Sequence, residues 1–115
     1  MNLFNTVGAA LTIGMGCLGL LFPAKASALT GLTPVTAAGR AEFRGTLGVT
    51  FIFLGLVPLI TKSDIAFLTV GVCWLGAAIG RIISIFLDQG NDSKNWIAVL
   101  FELVIAALLL VGLSV

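Results

Sequence analysis

Four apolar stretches, each close to the length that crosses a bilayer, take up most of this 115-residue chain. They cover residues 3–22, 34–60, 64–87 and 95–113. About 20 predominantly apolar residues, as a helix, span a hydrocarbon core of roughly 30 Å. The hydrophobic content is 59% and the charged content 10%, with a mean hydropathy of +1.19. Soluble domains carry roughly 25% charged residues, and a chain this short buries only about two-thirds of its surface on folding. The apolar excess must therefore face lipid. The pattern predicts a single all-α domain, a four-helix transmembrane bundle running up-down-up-down.

Punctuation between the stretches supports that division. Pro23 ends the first, and Pro23–Gly39 forms a small-residue connection whose one charge is Lys25. Thr33-Pro34 reads as an N-cap with proline at the first helical position. Thr61-Lys62-Ser63-Asp64 is a polar turn in which Ser63 or Asp64 caps the third helix. Asp88–Lys94 is a hydrophilic turn with Gly90 available to end a helix. Pro58 is expected to bend or fray the last turn of the second helix. Ala24-Lys25-Ala26 and Ala26-Ser27-Ala28 resemble signal-peptide cleavage sites, but no basic residue precedes the apolar stretch. The first stretch is read as a retained helix.

Composition also removes several kinds of chemistry. Histidine and tyrosine are absent, so there is no imidazole base, haem ligand or metal ligand and no phenolic relay. Cys17 and Cys73 lie on different stretches at depths roughly 8 Å apart, whereas a disulfide needs Cα atoms within about 7 Å. Both read as buried apolar filler. The net charge of +1 with no basic stripe gives no basis for nucleic-acid binding. No catalytic residue, metal set or cofactor is indicated.

The charges are few and unevenly placed. Arg40, Glu42, Arg44, Arg81 and Glu102 lie inside apolar stretches, nearly half of the six basic and five acidic residues. Ionisable groups in membrane segments are costly, so they face the bundle interior and find partners. Let side A be the face with both termini and Lys62, and side B the face with the other two connections. Arg81 then lies about 9 Å in from side B, Glu102 about 10 Å and Glu42 about 12 Å. The expectation is one layer in which Glu42, Arg44, Arg81 and Glu102 balance to zero. Arg40 snorkels to lipid phosphate, and Ser84 supplies a hydroxyl one turn after Arg81. Such a layer is either an ionic lock that sets helix register or a site open to a ligand.

Two weaker signals accompany it. Small residues recur at helical spacing (Gly8, Thr12, Gly16; Ala41, Gly45, Gly48; Gly76, Gly80), which lets helices approach closely. Packing within the monomer is the expectation for all three rows. Basic residues favour side B, which puts side B in the cytoplasm and both termini outside. Trp96 stands where an interfacial aromatic belongs.

The segment Arg40-Ala41-Glu42-Phe43-Arg44-Gly45-Thr46-Leu47-Gly48 resembles a bacterial family of small four-helix membrane proteins catalogued as a domain of unknown function, the 4345 family. Its Ala-Glu-hydrophobic-Arg segment is followed by a Gly-Arg-x-x-Ser segment, here Gly80-Arg81-Ile82-Ile83-Ser84, then an acidic residue, here Asp88, and a last-helix glutamate, here Glu102. The resemblance covers about residues 38–112, with Leu47 where many members carry tyrosine. It implies that Glu42, Arg44, Arg81, Ser84 and Glu102 form one unit, and it brings no reaction.

The expected role is a non-enzymatic accessory or scaffolding subunit of a membrane assembly, partnered by the lipid bilayer and by a larger complex or a homo-oligomer. The alternative is a binder or carrier of a small amphipathic ligand, a lipid or quinone, held by the charged layer. The expected location is a bacterial cytoplasmic membrane or a thylakoid.

Overall fold

The computed structural model describes residues 1–115. Every regular element is helical: α1 (Leu3–Leu21), α2 (Pro23–Thr30), α3 (Ala37–Arg44), α4 (Thr50–Thr61), α5 (Asp64–Leu87) and α6 (Ser93–Leu110). A π-helical turn, Gly45–Val49, joins α3 to α4 so that Ala37–Thr61 is one continuous rod of 25 residues. This rod, α1, α5 and α6 are each long and apolar enough to cross a membrane. The chain is a multi-pass membrane bundle, as the four stretches predict.

The helix ends follow from local chemistry. Asn2 and Asn5 form a reciprocal capping box at the start of α1. Phe22 leaves the helical region (φ −131°, ψ 64°), the region that a following proline disfavours, and the chain turns there. Pro23 then starts α2 at its first position, and Gly31 ends it in the left-handed region at φ 82°. The Pro23–Gly39 connection thus contains a helix that its small-residue composition concealed.

The start of the second span also differs from expectation. Thr33-Pro34 stays outside the helix, and the Thr36 hydroxyl caps α3 by accepting from Gly39 N at 2.9 Å. Ser27 Oγ donates to Leu32 O at 2.7 Å and holds the intervening chain against α2. Pro58 does not fray α4, which continues to Thr61 and ends at Lys62 with φ 54°. Ser63 caps α5 and Asp92 caps α6.

In the bundle, α5 packs along α6, α1 packs along α4 and also along α6, and α4 meets α5 only lightly. The arrangement is flattened, with principal extents of 40 × 30 × 16 Å. Its tight core lies in the side-A half and centres on Ala9, Phe67, Val70, Trp74, Ile105, Ala106 and Leu109. The contact of α1 with the π turn and α4 is made backbone to backbone. A Cβ on Gly16 would stand 2.6 Å from Gly48 O, and one on Gly19 would fall on the Leu47 carbonyl.

Small residues elsewhere behave differently from expectation. Ala41 and Gly45 are exposed, and Gly76 and Gly80 face outward with no neighbouring atom within 4 Å. Only the first row and Gly48 pack as expected. Cys17 is half-buried and Cys73 exposed, both free, so Cys73 is not core filler.

Candidate functional site

The core's upper boundary is aromatic. Trp74 of α5 lies nearly buried between Phe51 of α4, ring centroids 5.3 Å apart, and Phe101 of α6, 6.2 Å apart, both edge-to-face. Its indole Nε1 donates to Thr12 Oγ1 at 3.0 Å, and that hydroxyl donates to Gly8 O at 2.9 Å. The polar end of the indole is thereby satisfied on the core side. Its ring forms a floor for the space above.

That space is a cavity of about 620 Å³ in the side-B half, where α4 and α5 part. Met15, Leu47 and Phe51 bound it from α1 and the second span. Trp74 and Ala77 bound it from α5, and Ile97, Ala98 and Phe101 from α6. Leu29, Thr30 and Leu32 cover it from α2 and the segment after it. Most of the lining is apolar, with Ser93 and Lys94 exposed at the start of α6.

Arg81 and Glu102 supply its part-buried charges, and Lys94 adds an exposed one. Arg81 Nε donates to Glu102 Oε1 at 3.0 Å, pairing the two residues that depth counting placed about 9 and 10 Å below side B. Arg81 Nη1 donates to Asn95 Oδ1 at 3.1 Å and reaches Thr30 O at 3.5 Å. A guanidinium there also suits the negative end of α2. Asn95 is held in turn, because its Nδ2 donates to Gly90 O at 2.9 Å. Glu102 is buried with 8% of its surface exposed, while the Arg81 side chain is 23% exposed.

The other charged candidates lie elsewhere. Arg44 is exposed, and its guanidinium donates to Leu20 O, one of the carbonyls that the end of α1 leaves without an intrahelical partner. Glu42 is exposed, and its carboxylate pairs with no cation of the chain. The structure therefore builds the layer from one ion pair, where four charges were expected. Arg40 is exposed at the side-B end, and Ser84 Oγ donates to Asp88 Oδ2 at 2.6 Å, away from Arg81.

Two members of the site were not anticipated. Asn95 lies two turns before Glu102 on one face of α6, a spacing readable in the sequence. Thr30 contributes a backbone carbonyl, which no side-chain pattern marks. No three His, Cys, Asp or Glu side chains approach closely enough to share a metal ion.

Fold and site together define a small four-helix membrane bundle whose tightly packed half supports an amphipathic cavity. The chain belongs to the DUF4345 family, a domain of unknown function whose family model matches residues 1–113. No curated protein and no solved structure matches it.

Proposed function

We propose that this protein is a non-enzymatic binder or carrier of a small membrane-dissolved amphipathic ligand. The observation that carries the reading is the cavity of about 620 Å³ with Arg81 and Glu102 in a mostly apolar, aromatic-floored wall that also includes Thr30, Ser93 and Lys94. Small-molecule sites are concave and mostly apolar, with a few fixed polar groups. A lipid- or quinone-sized molecule would lay its tail on Phe51, Trp74 and Phe101 and its polar end near Arg81. The ion pair is held open to the cavity by Asn95 and the end of α2, which favours a site over a closed lock. An accessory role in a larger membrane assembly ranks second, because the cavity gives ligand binding a specific structural basis that docking lacks. The membrane is that of a bacterial cell or a thylakoid on this reading.

Native mass spectrometry of protein extracted in mild detergent tests it. A co-purifying small molecule is expected with the parent and lost in Ala98→Phe, which fills the cavity, and in Arg81→Ala. Retention of the molecule in Ala98→Phe would place it outside the cavity and sink the proposal. Recovery without any ligand, in fixed stoichiometry with another protein, would return the accessory role to first place.

A further inference from the structure

We infer that the cavity selects an amphipath whose head is uncharged and bears a hydroxyl, as in an isoprenoid or alkyl alcohol or a quinol. This rests on the ligand-binding reading above and narrows it to one class of head group.

The hydrogen bonds of the ion pair carry the argument. Arg81 spends Nε on Glu102 and Nη1 on Asn95 and Thr30 O, which leaves Nη2 without a protein acceptor. Glu102 accepts through Oε1 alone. No fully buried side-chain oxygen or nitrogen lacks a partner, so Oε2 retains accessible surface. Both residues line the cavity, and Glu102 is otherwise buried, so that surface opens into the cavity. A donor and an acceptor without protein partners therefore belong to one ion pair whose charges cancel.

A hydroxyl matches this arrangement with one oxygen, accepting from Arg81 Nη2 and donating to Glu102 Oε2. Both bonds are charge-assisted and gain strength out of water. An anionic head meets the opposite situation. Its attraction to Arg81 is offset by Glu102, and its own desolvation at this depth is uncompensated. Lys94 also lines the cavity, but it is exposed where α6 starts, where solvent and salt screen its charge far more than that of the buried pair. A cationic head would leave Arg81 beside it with no second acid in the wall.

Tryptophan quenching by brominated amphipaths reads this directly. Trp96→Phe, a change at an exposed position, leaves Trp74 in the cavity floor as the one indole. The protein is placed in neutral lipid nanodiscs and titrated with ω-bromooctanol or ω-bromooctanoate at pH 8, each corrected for partitioning. Saturable quenching by the alcohol is expected, at least about tenfold tighter than by the carboxylate, the worth of one charge-assisted hydrogen bond. Glu102→Gln removes the negative charge and keeps the shape, so the order should reverse. If the parent prefers the carboxylate, or takes both equally, the head-group inference falls while the cavity reading stands. If neither quenches more than in Ala98→Phe, the ligand reading itself falls. The comparison in the parent decides the matter even if Glu102→Gln does not fold.

Discussion

Arg81 has two separable consequences, one for stability and one for binding. Removing it leaves the Glu102 carboxylate buried opposite no cation, and breaking such pairs costs about 3 kcal/mol or more. Arg81→Ala should therefore lower the unfolding temperature in detergent markedly. Replacing both charges by apolar groups of similar size, Arg81→Met with Glu102→Leu, should restore most of that stability, since buried pairs gain little net energy over good packing. The same double variant should lose ligand retention. A double variant as unstable as Arg81→Ala alone would mean that the pair contributes more than mutual compensation. Asn5 is the second residue whose role is specific. Its Nδ2 donates to Leu108 O, Leu109 O and Val111 O, closing the carbonyl end of α6 from α1. Asn5→Leu takes that donor from the Leu108 and Leu109 carbonyls, while Val111 O keeps Asn2 Nδ2, and should cost about 1–3 kcal/mol, the penalty of unsatisfied buried acceptors. An unchanged melting temperature would show that water reaches that end of the bundle.

At the level of elements, the two glycine-bearing spans make opposite predictions. Gly19→Ala drives a methyl into the Leu47 carbonyl where α1 crosses the π turn, so that one of the two backbones must shift. Overpacking of that kind costs about 1–3 kcal/mol. Gly80→Ala meets open space on a helix interior and should be neutral or stabilising by up to about 1 kcal/mol. A loss of stability or oligomeric state in Gly80→Ala would reveal that a neighbouring subunit covers this face. Spacing alone does not separate the two cases, because Gly76 and Gly80 on α5 and Gly16 and Gly19 on α1 offer the same close helix approach in the sequence. The four spans were legible because apolar length is a one-dimensional property. The Arg81–Glu102 pairing was legible because alternating helix direction turns position into depth. The displacement of Arg44 and Glu42 was not, because the π turn reorients the rod and Leu20's free carbonyl competes for the guanidinium. Nor was α2, whose eight residues carry too little apolar pattern to distinguish helix from loop.

The whole molecule has a polarity that its individual helices lack. The side-A half is a closed core, and its surface ties both termini together: Met1 N lies 4.0 Å from Asp64 Oδ1, and Ser114 N donates to Asp64 Oδ2. The side-B half holds the cavity and the exposed basic residues Lys25, Arg40, Arg44 and Lys94, against Lys62 alone at side A. Arg81 does not enter that balance, since Glu102 neutralises it. Because Arg40 and Arg44 prove to be exposed, the excess at side B is larger than a count confined to the two connections would give. Basic residues near short loops are retained in the cytoplasm. The cavity end should therefore face the cytoplasm and draw its ligand from the inner leaflet, with both termini on the opposite side. C-terminal fusions check this, with alkaline phosphatase expected to be active and green fluorescent protein dark. The reverse pattern would overturn the orientation and place the cavity's source of ligand in the outer leaflet. Weakening the bias by Arg40→Gln with Lys25→Gln should produce a mixed population, since only Arg44 and Lys94 then stand at side B against Lys62 at side A.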